Sequence, residues 1–227
     1  MNLNVLFALT RMECKDIMKN LQVLLLFVVY PCIAAVMAIS MKDAAAFFIT
    51  IFATMHIVFT PIIVMVSILS EQKQHRILRN LSYANVSSAS YLLSHGILVV
   101  FLTFFSGLFF FLLPGFQQDT VSFLLSCLIG IGISTLLGAV IALTSSSTSG
   151  ANGVAMPIAM LLSFVPMLAQ FNDTLKDLSH VLYSAQLADM MGDISHTTLT
   201  SVLVLVITTM LLILLFARGY RRSMKSE

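Results

Sequence analysis

Apolar residues run along this chain in long blocks rather than in alternating or narrow-stripe patterns. Predominantly apolar stretches fall at about 21–40, 44–70, 92–113, 121–143, 153–170 and 199–217. Each has roughly the 20 residues that a helix needs to cross a ~30 Å hydrocarbon core. The pattern predicts an all-α polytopic membrane protein with six transmembrane helices, one transmembrane domain over 1–227 and no room for a soluble domain. Residues 2–20 read differently. Leu3, Leu6, Phe7, Cys14, Ile17, Met18 and Leu21 share one helical face while Lys15, Asp16 and Lys19 lie elsewhere, which predicts an interfacial helix ahead of the first span. The second stretch would be about 40 Å long at 1.5 Å per residue, so it has to tilt, kink at Pro61 or protrude.

Polar breaks between the blocks carry their own patterns. Residues 71–81 predict a short basic amphipathic helix, with Ile77, Leu78 and Leu81 on one face and Lys73, Arg76 and Arg79 on another. Such a segment can dock onto a partner rather than merely connect. Residues 144–153 are uncharged and rich in turn formers, and read as a short loop. Residues 171–198 interleave Leu175, Leu178, Val181, Leu182, Tyr183, Leu187, Met190 and Met191 with polar positions. That segment is too apolar to stay free in water and predicts one or two short helices folded back before the last span.

A stripe of small residues runs down the fourth span, with Ser122, Ser126, Gly130, Ser134, Gly138, Ala142 and Ser146 recurring every fourth position. Small residues at this spacing let another helix backbone approach closely. We take Ser126, Gly130, Ser134 and Gly138 as a helix-packing face, toward either the same chain or a second subunit.

Composition agrees with a membrane protein, since hydrophobic residues make up 59% of the chain and charged residues only 10%, and the mean hydropathy is +0.99. Charge then sets the expected orientation. Ten of the twelve basic residues lie at the N-terminus, in 71–81 and at the C-terminus, leaving Lys42 and Lys176 on the other side. Basic residues resist translocation, so a multi-pass protein of the cell (plasma) membrane with both termini cytoplasmic is expected. Glu13 and Asp16 break up the first twenty residues, so no cleaved signal peptide is expected. Cys14, Cys32 and Cys127 have no metal-ligand spacing and read as packing residues.

Missing chemistry narrows the function. The chain has no G-x-x-x-x-G-K-[ST] phosphate loop. No span centre carries Asp, Glu, Lys or Arg, as ion-coupled transport would usually require. The five histidines show no zinc-enzyme spacing. The chain is therefore read as no enzyme, with no catalytic residue, metal or cofactor of its own. His56 is the one titratable side chain near the middle of a span, with Thr60 one turn on and Ser67 continuing that face. Two readings stand: His56, Thr60 and Ser67 line a translocation path, or His56 is a neutral hydrogen-bonded tie between packed helices.

The layout of amphipathic start, six spans, charged segment after a long second span and folded segment before the sixth resembles the ABC-2 type permease family. The most specific local match is Ile68-Leu69-Ser70-Glu71-Gln72-Lys73-Gln74-His75-Arg76-Ile77-Leu78-Arg79-Asn80-Leu81-Ser82. It is similar to that family's acidic residue, basic residues and leucine pair leading from the second span into the coupling helix. The family's usual glycine is replaced near His75-Arg76, and no proline follows Tyr83-Ala84-Asn85-Val86.

The resemblance implies a membrane subunit of an ATP-binding cassette exporter. Its ATPase partner would bind ATP and Mg and contact Glu71, Lys73, Arg76, Ile77, Leu78, Arg79 and Leu81. A second permease copy or paralogue would complete the pathway. The short Met- and Phe-rich chain is similar to permeases of Gram-positive bacteria that export amphipathic peptides or give antimicrobial resistance, so an amphipathic peptide or hydrophobic antimicrobial is the expected cargo. The lipid bilayer is the remaining partner, and no nucleic acid is expected. The alternative reading is a non-transporting assembly or immunity factor that binds its target through 71–81.

Overall fold

The computed structural model describes residues 3–75, 77, 87–192, 195 and 197–226. Nine α-helices follow in chain order among them: α1 (Leu3–Lys19), α2 (Leu21–Ser40), α3 (Ala45–Gln74), α4 (Ser88–Gly107), α5 (Thr120–Thr144), α6 (Thr148–Leu168), α7 (Asp173–Ser179), α8 (Tyr183–Gly192) and α9 (Leu199–Ser226). One-turn 3-10 segments precede α3 at Lys42–Ala44 and follow α4 at Leu108–Leu112. There is no strand among the described residues. Among the described residues six helices are long and apolar enough to cross a membrane, as the block pattern predicts.

Helix ends follow local side-chain chemistry. Asn20 starts α2 by accepting from the Val23 N–H at 3.2 Å, and Asp119 starts α5 by accepting from the Ser122 N–H at 2.8 Å. Each satisfies a backbone donor that the first helical turn leaves without a partner. Ser147 does the same for α6 through the Gly150 N–H at 3.1 Å. That cap starts α6 at Thr148 rather than near 153, so the predicted loop of 144–153 shrinks to residues 145–147. The run of Ser, Thr, Gly and Asn reads as a turn, but a single serine cap commits it to helix.

α3 is the axis of the bundle. Its spanning stretch is buried on almost every side, whereas α2 and α9 keep broad outward faces. The small residues of α5 make this possible. A Cβ on Gly138 would lie 2.6 Å from the Ile62 carbonyl oxygen, and one on Gly130 would lie 2.7 Å from Ile57 Cδ1 and 2.9 Å from Leu187 Cδ1. The stripe therefore packs against α3 and α8 of its own chain. The segment before the last span folds as the hairpin α7–α8 and reaches deep into the bundle. Tyr183 at the start of α8 bonds Ser134 of α5 at 2.9 Å, and Met191 near its end lies 4.0 Å from the Thr54 hydroxyl of α3. Burial pushes the Tyr183 phenol well above its ordinary ionisation range, partly offset by the Ser134 bond, so it keeps its proton.

The opposite ends of the bundle are held differently. Where α3 begins, Gly115 adopts φ +91, and a Cβ there would approach Ala45 Cβ to 2.6 Å. This left-handed conformation favours glycine. Next to it, the Gln118 amide donates to Thr50 Oγ1 at 2.6 Å and to the Ala46 carbonyl at 3.2 Å. At the end where α3 finishes, α1, the start of α4 and the tail of α9 gather: Thr10 donates to the Ser94 carbonyl at 3.3 Å, and the Tyr91 and Tyr220 rings lie 5.5 Å apart.

Gly132 faces open space, with nothing within 4 Å of a built Cβ, and so serves as an internal control for Gly138. Gly138→Ala should destabilise the protein by about 1–3 kcal/mol through overpacking. Gly132→Ala should be neutral or stabilising by up to about 1 kcal/mol through helix propensity. Thermal unfolding of both variants in one detergent checks the contrast.

Candidate functional site at the end of α3

The last turn of α3 is an unbroken continuation of the span. Glu71, Gln72, Lys73 and Gln74 are good helix formers, and the His75 N–H closes the turn on the Glu71 carbonyl at 3.0 Å. The predicted docking helix of 71–81 thus begins as the end of α3. Glu71 is exposed and Ile77 is half-buried. Arg76, Leu78, Arg79 and Leu81 lie outside the described residues.

Three consecutive side chains here reach three different parts of the molecule. Gln72, 7% exposed, donates its amide to Glu13 Oε2 of α1 at 2.8 Å and accepts from the Tyr91 hydroxyl of α4 at 3.0 Å. Its Nε2 also lies 2.8 Å from His95 Nε2. Lys73 donates to the Leu143 carbonyl at 2.6 Å and the Ser145 carbonyl at 2.7 Å. Those are carbonyls at the C-terminus of α5, where a cation also suits the negative end of the helix dipole. Gln74 Oε1 accepts from the Thr148 hydroxyl at 2.6 Å, which ties in α6. Adjacent helix positions point in different directions about the axis, so one turn serves as a hub for α1, α4, α5 and α6.

Beside the hub lies a cleft of about 540 Å³ between α1, the start of α2 and the end of α3. The exposed acidic residues Asp16 and Glu71 line it with Lys19 and His75, while Glu13, also in its lining, turns its carboxylate inward to Gln72. The cleft gives the root of the linker an acidic surround, in contrast to the basic residues of 73–79 that follow it in sequence.

The other sequence-derived candidates lie deeper. His56 is fully buried, with Nε2 3.1 Å from the Thr103 carbonyl and 2.9 Å from Ser106 Oγ, and Nδ1 3.3 Å from Thr60 Oγ1. Thr60 in turn donates to the Leu26 carbonyl at 3.1 Å. This chain of bonds joins α2, α3 and α4, and both ring nitrogens have partners. Ser67, on the same face, is half-buried, and its carbonyl accepts from the Ser70 hydroxyl at 3.4 Å.

Glu13, Tyr91 and His95 are members of the hub that a linear reading misses. Glu13 lies 59 positions from Gln72, and His95 lies 23 positions from it. The available signal was Tyr91 and His95 at i, i+4 on a predominantly apolar helix, which marks a polar face without naming its partner.

Replacing Lys73 by Met removes two charge-assisted bonds to helix-end carbonyls. The expected cost is about 2–3 kcal/mol, with the loss concentrated at the α5–α6 corner. Hydrogen exchange should show faster amide exchange over residues 145–150 in Lys73→Met than in the unsubstituted protein.

No curated protein matches the chain, but the family model described as ABC-2 family transporter protein matches residues 21–218. The match covers the first five candidate spans and most of the sixth, Leu199–Arg222. With this match over most of its length and six apolar helices, the chain belongs to the ABC-2 transporter family, as a membrane permease subunit that works with a separate ABC ATPase.

Proposed function

We propose that this permease is half of an exporter, and that the ATPase drives it through residues 71–81 at the foot of α3. The observation that carries the reading is the hub itself. A push on this linker reaches α1 and α4 through Gln72, the α5 terminus through Lys73 and α6 through Gln74. A rigid α-helix ending in such a node converts a contact at its tip into movement of the whole bundle. The basic residues Lys73, Arg76 and Arg79 and the apolar Ile77, Leu78 and Leu81 give the linker the mixed character of a docking helix. In this reading ATP and Mg are held by the ATPase. Both termini and the linker face the cytoplasm across the plasma membrane.

A second permease, identical or paralogous, completes the route. Support for this comes from the burial of α3, since the helix that would be central to a single-chain channel is enclosed by its own neighbours. Cargo then passes along a surface shared between two permeases. Outward-facing Met and Phe side chains among the aliphatic ones, including Met156, Met160, Phe101 and Phe105, suit an amphipathic peptide or hydrophobic antimicrobial drawn from the membrane. His56 and Thr60 join that route only if α3 and α4 separate during the cycle.

Arg76→Glu and Leu78→Asp should each weaken association with the ATPase about tenfold or more, a change of about 1.4 kcal/mol, as read by co-purification of the complex. A fully stable, fully folded chain that never associates with an ATPase would instead favour an assembly or immunity factor. Transport by His56→Leu tests the route separately: reduced turnover with intact association is expected if His56 lines it, and unchanged turnover removes it from the path.

A further inference from the structure

α1 bears a buried carboxylate that a helix resting on lipid has no use for. Arg11, Met12, Cys14, Lys15 and Asp16 around it are exposed, yet Glu13 is only 1% exposed. Burying a carboxylate is costly unless it is paired and hydrogen-bonded. Here Glu13 Oε2 accepts from the Gln72 amide at 2.8 Å and lies 3.1 Å from His95 Nε2.

Both ring nitrogens of His95 are tied into the same group of contacts. His95 Nδ1 lies 2.8 Å from the Tyr91 carbonyl and 2.9 Å from Ser94 Oγ. Tyr91 donates to Gln72 Oε1, which sets the orientation of the amide and turns its N–H toward Glu13. Glu13 Oε2 lies 3.1 Å from His95 Nε2, and the Gln72 amide nitrogen reaches both atoms at 2.8 Å. The result is a closed polar ring through α1, α3 and α4. Tyr220 of α9 covers it by packing on Tyr91, and Thr10 adds a second bond from α1 to α4 at the Ser94 carbonyl.

We infer that α1 is a moving arm of the coupling apparatus, held by the Glu13–His95 pair to Gln72 so that α1, the last turn of α3 and the first turns of α4 travel as one body. Glu13 and His95 are positioning residues, acting through Gln72 on the linker that follows it. The inference rests on the reading of 71–81 as the ATPase contact and extends it to a helix that lies far from the linker in sequence.

Distances between spin labels in the assembled permease–ATPase complex, reconstituted in nanodiscs with and without ATP, test it. Cys14 on α1 is exposed and Cys127 is buried, so replacing Cys32 by Ala leaves one native labelling site. Adding His75→Cys, or Leu199→Cys at the exposed start of the rim helix α9, gives pairs 14/75 and 14/199, and Cys14→Ala with both gives 75/199. The expected result is that ATP shifts 75/199 and 14/199 by about 2 Å or more while 14/75 stays fixed. Glu13→Gln keeps the side-chain volume and one hydrogen bond, so the protein should fold, but 14/75 should broaden and 14/199 should lose its response. A shift of 14/75 in the unsubstituted complex, or a Glu13→Gln complex whose 14/75 and 14/199 behave as before, overturns the inference. A 75/199 distance that ignores ATP identifies a different failure, that of the linker reading, and takes this inference with it.

Discussion

Hydrocarbon offers no hydrogen bonds, so every polar group on α3 must find its partner within the protein. Much of the molecule's organisation follows from that one restriction. His56 and Thr60 are satisfied by α2 and α4 partway along the helix, and Gln72, Lys73 and Gln74 by four other elements at its foot. Between these two levels the helix is held by close packing of Ile62 and Met65 on Gly138 of α5. A helix anchored in this way cannot rotate about its axis without breaking several buried bonds together, each worth about 1 kcal/mol net and more if left unmade. It can transmit displacement along its length, and that is the property a permease driven from outside requires.

The two ends of the bundle divide the work. At the start of α3 the restraints are steric, from Gly115 pressed on Ala45 and Gln118 folded over Thr50. At the foot they are polar and partly ionic, and they converge on three consecutive residues. Polar contacts have sharper geometry than apolar ones, so the foot is the end at which a small movement is communicated most faithfully. The hairpin α7–α8 adds a wedge from the other side, with Tyr183 and Leu187 reaching the same small-residue face of α5 that receives α3.

How much of this was readable beforehand varied with the range of the interaction. The six spans were legible because membrane crossing demands about 20 apolar residues in a row, a purely local property. The α7–α8 helices were legible as well, from apolar residues too numerous for a free loop. The boundary at Thr148 was not, because whether Ser147 caps a helix or joins a turn depends on a single side-chain torsion. The small residues from Ser126 to Gly138 announced a close contact, while the identity of the neighbour, Ile62 and Leu187, needed three dimensions. Glu13 shows the limit most clearly. In sequence it is one charge that argues against a cleaved leader, and only the fold brings it to Gln72 and His95, since nothing local distinguishes a solvated glutamate from a buried one.

Gly138 sets a limit on how the bundle can deform. With the Ile62 carbonyl already where a β-carbon would stand, the two backbones have no slack, and translation of either helix by one residue would drive a side chain into a peptide group. α3 and α5 therefore behave as a keel, and shape change is left to tilting of this pair and to the loosely covered helices at the rim. Lipid composition or thickness that alters tilt would then bear on the permease more strongly than any factor that acts on its interior packing.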